Sequence, residues 1–90
     1  MGKPVLVMWD YEAFPIWADD DVDVALPAEL ESALQAWSDE GTRHFIDEDA
    51  PGTWKADWAD RGRALAQRVA THLGPVDFKN EATLRTERIG

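Results

Sequence analysis

The sequence contains no cysteine, which excludes disulfide bonds and thiolate chemistry from its structure and function. It also lacks the glycine-rich motifs that bind phosphate groups. Its only serines, Ser32 and Ser38, do not lie in the Gly-x-Ser-x-Gly turn that presents a hydrolase nucleophile. We therefore expect neither a catalytic triad nor a phosphate-binding loop.

Long apolar segments are absent as well. No stretch approaches the ~20 apolar residues of a membrane span, and the N-terminus has no basic region followed by a long apolar run. We expect a cytoplasmic protein with no membrane partner. Its 90 residues, 44% of them apolar, predict a single domain over residues 1–90, with one core and no deep, enclosed active site.

Positive charge is missing from a large part of the chain, because no Lys or Arg occurs between Lys3 and Arg43. The same stretch holds ten acidic residues, whereas the chain from Arg43 onward has eight acids and eight bases. The N-terminal part therefore accounts for the whole net charge of −9. A field of one sign attracts cationic partners and repels nucleic acid, so we expect a basic protein as partner and no nucleic-acid binding.

What the chain does contain predicts an α+β fold in the order β-α-α-β-β, with two helices packed on one face of a small three-stranded mixed sheet. The apolar run over residues 4–10 predicts a first strand buried on both faces. Residues 11–27 predict a long loop, which leaves room for a short edge strand near residues 22–24. A strand near residues 76–79 follows the helices, and the charged positions of residues 83–89 indicate a final strand at a sheet edge or a partly ordered tail. If the first two strands are parallel neighbours, a right-handed crossover joins them.

The first helix is predicted to begin at Pro27 and to end at Gly41, with residues 42–52 forming a loop. Thr53 is predicted to cap the second helix, and Gly74-Pro75 to end it. Gly62 falls on the buried stripe of that helix, which indicates close approach to a neighbouring backbone. The spacing also predicts surface ion pairs, Asp57 with Arg61 and Asp60 with Arg63.

Carboxylates offer two metal-binding hypotheses. Asp19, Asp21 and Asp23 have the alternate spacing of a calcium loop, but the required glycine and final glutamate are replaced by Val24 and Leu30. Asp10 and Glu12 follow the first strand and, with His44, form the basis of an alternative interpretation as a small metal-dependent hydrolase. This part of the sequence has no Lys or Arg near the carboxylates, which argues against phosphate substrates. We therefore expect no bound metal, no cofactor and no catalytic residues.

Aromatic residues and carboxylates alternate in the N-terminal part, which is the composition of a protein-binding hot spot with a charged rim. Trp9 lies at the end of the first strand, so the sequence is compatible with a position in the core as well as with one on the surface. The rings that follow lie in a segment that Pro15 stiffens, so at least one of them should be exposed. The predicted partner-binding residues are Tyr11, Phe14, Trp17, Asp19, Asp20, Asp21 and Asp23.

Trp9-Asp10-Tyr11, followed by Pro15-Ile16-Trp17, is similar to a Trp-Asp-Tyr…Pro-Leu-Trp signature of small bacterial proteins, many of them actinobacterial. The helical segments extend the likeness over most of the chain, although residues 42–52 depart from the expected pattern. These proteins resemble immunity proteins, the small cytoplasmic partners encoded beside bacterial toxins. The resemblance implies a toxin-neutralising role but assigns no residue to it.

The sequence therefore predicts a non-enzymatic binding protein, a monomer or weak homodimer, that covers the cationic face of a basic protein such as a toxin nuclease. The hydrolase is one alternative. A second is a DNA mimic whose aspartates imitate phosphates, although its acids would form a regular row, and here they form a tight cluster.

Overall fold

In the computed structural model, residues 5–10, 14–18, 24–46 and 54–90 are described. These residues form two helices and four strands, so the predicted α+β class is confirmed. The elements are β1 (Leu6–Val7), β2 (Ile16–Trp17), α1 (Ala28–Ile46), α2 (Trp54–Leu73), β3 (Val76–Asn80) and β4 (Arg85–Ile89).

The sheet has the order β2-β1-β3-β4, which corrects the prediction of three strands. β1 and β3 are parallel neighbours, the arrangement that the sequence left open, whereas β2 pairs with β1 and β4 with β3 in antiparallel orientation. The additional strand is β2, which lies in the predicted loop. The edge strand considered near residues 22–24 is not found at Val24, and residues 22 and 23 lie outside the described residues.

The helices cover one face of the sheet. Side chains from β1, β3 and β4 (Val7, Val76, Phe78 and Ile89) share one buried cluster with Leu30 and Leu34 of α1 and Val69 of α2. Along β1, burial alternates, with Val5, Val7 and Trp9 buried and Leu6 and Met8 partly exposed. The prediction of a strand buried on both faces is therefore wrong, because both helices pack on the same side.

Helix α1 begins just after Pro27, whose carbonyl accepts the Glu31 N–H at 3.0 Å, and Glu29 and Glu31 occupy its first turn. It does not end at Gly41 but continues to Ile46, so the predicted loop is wrong for residues 42–46. Residues 47–52 lie outside the described residues. Gly41 is a packing residue, since a Cβ there would lie 2.8 Å from Nε1 of Trp9 and 2.9 Å from Cε2 of Trp58.

Helix α2 ends as predicted. Gly74 has a φ of +86°, a conformation that favours glycine, and its N–H donates to the Ala70 carbonyl at 2.9 Å. The predicted cap, Thr53, lies outside the described residues. The predicted ion pair between Asp57 and Arg61 is present at 3.1 Å.

Two tryptophans hold the helices together. The indoles of Trp37 and Trp58 stack with centroids 4.4 Å apart, and each donates its N–H to the other's backbone carbonyl, at 2.8 and 2.9 Å. Gly62 makes room for this pair, because a Cβ there would lie 2.6 Å from Cε2 of Trp37. The close approach predicted at Gly62 is thus to a ring, not to a backbone.

The β3–β4 hairpin forms the other end of the sheet, with β4 at the edge as predicted. The Asn80 side chain accepts the N–H groups of Ala82 and Thr83, at 2.9 and 3.2 Å, and closes the turn. Arg63 does not pair with Asp60 as predicted, but with Glu87 of β4, at 3.0 Å.

Candidate functional site

The exposed aromatic residues lie on and beside β2. Trp17 pairs with Leu6 and Ile16 with Val7, and the Met8 N–H donates to the Pro15 carbonyl at 3.0 Å. Within this antiparallel pair, the Met8 carbonyl faces the nitrogen of Pro15, which has no hydrogen to donate. The Met8 carbonyl instead accepts the indole N–H of Trp17, at 3.0 Å.

This hydrogen bond fixes Trp17 against the sheet while leaving much of its ring in solvent. Trp17 is 39% exposed and Phe14 37%, whereas Pro15 between them is buried. Ile16 is half-buried and packs against the core. We call Phe14, Ile16 and Trp17 the aromatic edge, an uncharged surface at one end of the sheet.

The structure brings two of the predicted partner-binding residues, Phe14 and Trp17, to one edge of the sheet. The others, Tyr11, Asp19, Asp20, Asp21 and Asp23, lie outside the described residues. The role of all seven residues stays a prediction.

Trp9 belongs to the core. It is 8% exposed, stacks on Phe45 with centroids 4.3 Å apart, and donates its indole N–H to the Ser38 carbonyl at 3.1 Å. Of the aromatic residues between positions 9 and 17 that the structure describes, only Phe14 and Trp17 thus offer an exposed ring.

A second group of charged residues lies where the parallel strands end. Asp10 follows β1 and Glu81 follows β3. Partial burial raises the pKa of the Glu81 carboxyl, and the negative charge of Asp10 raises it further, whereas Lys79 and Lys55 act in the opposite direction. Sequence reasoning missed Glu81, because a glutamate in a turn carries no motif; only the parallel pairing of β1 and β3 brings it near Asp10.

Of the residues of the hydrolase alternative, the structure describes Asp10 and His44. The His44 ring stacks on Trp54 with centroids 4.5 Å apart, and Glu12 lies outside the described residues. Within the described ranges, no three residues of the types His, Cys, Asp and Glu are grouped so that they could hold a metal ion.

A groove of about 460 Å³ runs between α1 and α2, lined mainly by Ala33, Ala36, Trp37, Ala64 and Leu65. Ion pairs bridge it, with Arg61 on Glu40 and Arg68 on Glu29, the latter at 3.2 Å. The hydrogen bond from Arg61 lowers the pKa of Glu40 below its ordinary value. Because the two arginines and two glutamates of these ion pairs balance in charge, the groove has no electrostatic preference for a cationic partner.

Neither helix, over the residues described, combines the length and apolar character that a membrane crossing requires. Comparison of the chain with protein-family models, with curated proteins and with solved structures found no match.

Proposed function

We propose that this protein is a non-enzymatic binding module of the immunity-protein kind, which neutralises a basic protein by contacting it with Phe14, Trp17 and the neighbouring carboxylates. The observation that carries the proposal is that the Trp17 side chain is both fixed and exposed. Its indole N–H donates to the Met8 carbonyl, and 39% of the residue is exposed at the edge of the sheet. The other described tryptophans are buried or half-buried.

A fixed aromatic ring is a favourable anchor for a partner. Binding immobilises flexible side chains at an entropic cost, and a ring that is already oriented avoids most of that cost. Tryptophan is also enriched among the few residues that provide most of the energy of a protein interface. These properties support Trp17 as the central contact and Phe14 as its neighbour.

The charge of the chain supports a cationic partner. The net charge is −9, and no Lys or Arg occurs between Lys3 and Arg43, the stretch that includes the aromatic edge. Opposite charge accelerates encounter and opposes wrong partners, while the apolar contacts slow dissociation. A basic toxin encoded beside this protein is the partner that the proposal favours.

The proposal is tested by measuring binding of the purified product of the neighbouring gene by titration calorimetry. Trp17→Ala should weaken binding about 30-fold or more, as expected for loss of a hot-spot tryptophan. Phe14→Ala is a second variant, since loss of Trp17 also removes its hydrogen bond to Met8. Leu84→Ala is the matched control, because Leu84 is 72% exposed and lies beside β4, at the opposite end of the sheet.

Unchanged affinity in both Trp17→Ala and Phe14→Ala, with thermal unfolding showing that they are folded, would refute the aromatic contact. The electrostatic part is tested separately by changing Asp19, Asp20, Asp21 and Asp23 to lysine. Stopped-flow association should then become slower and less dependent on salt, because a rim charge acts mainly on the association rate.

The metal-dependent hydrolase is kept as a second candidate, because Asp10 and Glu81 lie near the same end of the parallel strands, where burial and the negative charge of Asp10 raise the pKa of the Glu81 carboxyl. Calorimetry with magnesium, manganese and zinc separates the two proposals. A stoichiometric site that disappears in Asp10→Asn would favour the hydrolase, whereas a binding module takes up none of these ions stoichiometrically.

A further inference from the structure

The two edges of the sheet differ in their chemistry. At the β4 edge, Arg85 and Arg88 are exposed and Glu87 is half-exposed, and such charged side chains oppose the addition of another strand. The described residues at the β2 edge, which are Phe14, Ile16 and Trp17, carry no charge. Within the edge strands themselves, β2 exposes the apolar ring of Trp17, whereas the exposed side chains of β4 are polar or charged and the exposed Leu84 lies in the turn before it.

The backbone of β2 is oriented for strand addition. The hydrogen bond from the Met8 N–H to the Pro15 carbonyl makes these two residues a hydrogen-bonded pair. Such pairs alternate with non-hydrogen-bonded ones along an antiparallel ladder, so Val7 and Ile16 form a non-hydrogen-bonded pair. The N–H and carbonyl of Ile16 consequently point away from β1, towards the side on which no described strand lies.

We propose that the partner binds by adding an extended, cationic segment to the sheet beside β2, where it exchanges backbone hydrogen bonds with Ile16. This inference rests on the proposed function and specifies its geometry. Strand addition obtains affinity from main-chain hydrogen bonds and specificity from side-chain contacts, which Phe14 and Trp17 supply on either side of Ile16.

Charge complementarity identifies the occupant. The protein has a net charge of −9, and the aromatic edge belongs to the part of the sequence between Lys3 and Arg43 that has ten acids and no cation, so the field of the protein attracts a cationic strand and repels an acidic one. A second copy of this chain is disfavoured at this edge, because it would bring together two acidic stretches.

The test uses two synthetic decapeptides, one alternating lysine and valine and one alternating lysine and proline. They carry the same charge on extended chains, but the proline peptide cannot complete a β-ladder. The wild-type protein should bind the lysine–valine peptide about tenfold more tightly, since only that peptide forms backbone hydrogen bonds. The Ile16 amide should exchange with solvent more slowly when that peptide is bound.

Ile16→Pro removes the outward N–H at a position where proline is tolerated, and should bind the lysine–valine peptide about fivefold more weakly than wild type. Ile16→Ala keeps the N–H and shortens the side chain, so it should retain the preference for lysine–valine over lysine–proline. Thr86→Pro is the control at the other edge. The Asp77 N–H donates to the Val5 carbonyl, so the backbone groups of Asp77 and Lys79 face β1, and those of Thr86, opposite Lys79, point away from β3. Proline at position 86 should therefore change nothing. Thermal unfolding verifies that each variant is folded.

Equal affinity of the wild-type protein for both peptides would overturn strand addition and leave cationic recognition intact. Loss of the preference in Thr86→Pro instead of Ile16→Pro would also overturn strand addition beside β2, since the peptide would then bind at the β4 edge. Absence of binding to either peptide would overturn both this inference and the proposed recognition of cationic segments. A fall of the preference from about tenfold to about twofold in Ile16→Pro alone, with protection of the Ile16 amide in the wild-type complex, supports the inference.

Discussion

Replacing Gly62 by alanine should destabilise the protein, although alanine is the better helix former. In an exposed helix the change would gain about 1 kcal/mol. Here a Cβ at position 62 would lie 2.6 Å from Cε2 and 2.9 Å from Nε1 of Trp37. Carbon atoms pack about 3.5–4.0 Å apart, so the Trp37 ring would have to move by roughly 1 Å.

The Trp37 ring cannot move without loss, because its N–H donates to the Trp58 carbonyl at 2.8 Å and its face stacks on the Trp58 indole. Overpacking a core costs about 1–3 kcal/mol, and leaving a buried donor unpaired costs about 1–3 kcal/mol more. After subtraction of the helix gain, we expect Gly62→Ala to lower the free energy of unfolding by about 1–5 kcal/mol. Each kcal/mol lost should lower the unfolding midpoint by roughly 4–8 °C in a domain of this size.

Urea and thermal unfolding, followed by circular dichroism and tryptophan fluorescence, measure both quantities. Ala64→Gly is the matched control, since Ala64 is exposed on the same helix. This substitution should lower the free energy of unfolding by only about 1 kcal/mol, the difference in helix propensity. In a Trp37→Phe background the smaller ring leaves room, so Gly62→Ala should cost less there than in the wild type. A higher midpoint for Gly62→Ala in the wild-type background would refute the packing of Trp37 against α2.

The sequence was informative wherever local chemistry decides the structure. Helix α1 begins within one residue of Pro27, and α2 ends before Gly74, because glycine adopts a positive φ without the steric cost of a side chain. The same reasoning failed at Gly41, because a glycine that ends a helix and one that admits a neighbouring ring look alike in a sequence. Only the positions of Trp9 and Trp58 separate the two cases.

Strand β2 was missed for a related reason. Two residues, Ile16 and Trp17, form too short a segment for an alternating pattern, and the preceding Pro15 is typical of a loop. Their pairing with β1 depends on contacts between residues that are not adjacent in the sequence. One of these is the hydrogen bond from the Trp17 indole to the Met8 carbonyl, which takes the place of the N–H that Pro15 lacks. The composition did direct attention to Phe14 and Trp17, but it could not indicate that the backbone beside them is a sheet edge.

Two further predictions concern the β3–β4 turn. Leu84 has a φ of 60° and a side chain that is 72% exposed. Leu84→Gly should therefore stabilise the protein by about 1 kcal/mol, whereas Leu84→Ala, which keeps the backbone strain, should not. Equal stability of the two variants in urea would contradict this expectation. Glu81 has a raised pKa in the folded protein, which means that the folded state binds its proton more tightly than the unfolded state. Its contribution is therefore most favourable below the unfolded pKa and is lost as the pH rises through the folded pKa, so ionised Glu81 opposes folding at neutral pH. Glu81→Gln should accordingly be more stable than wild type at pH 7, with the difference shrinking below the ordinary glutamate pKa, where both side chains are neutral. Unfolding in urea at a series of pH values measures the difference, and a stabilisation that is the same at acidic and neutral pH would show that the charge of Glu81 is not its cause.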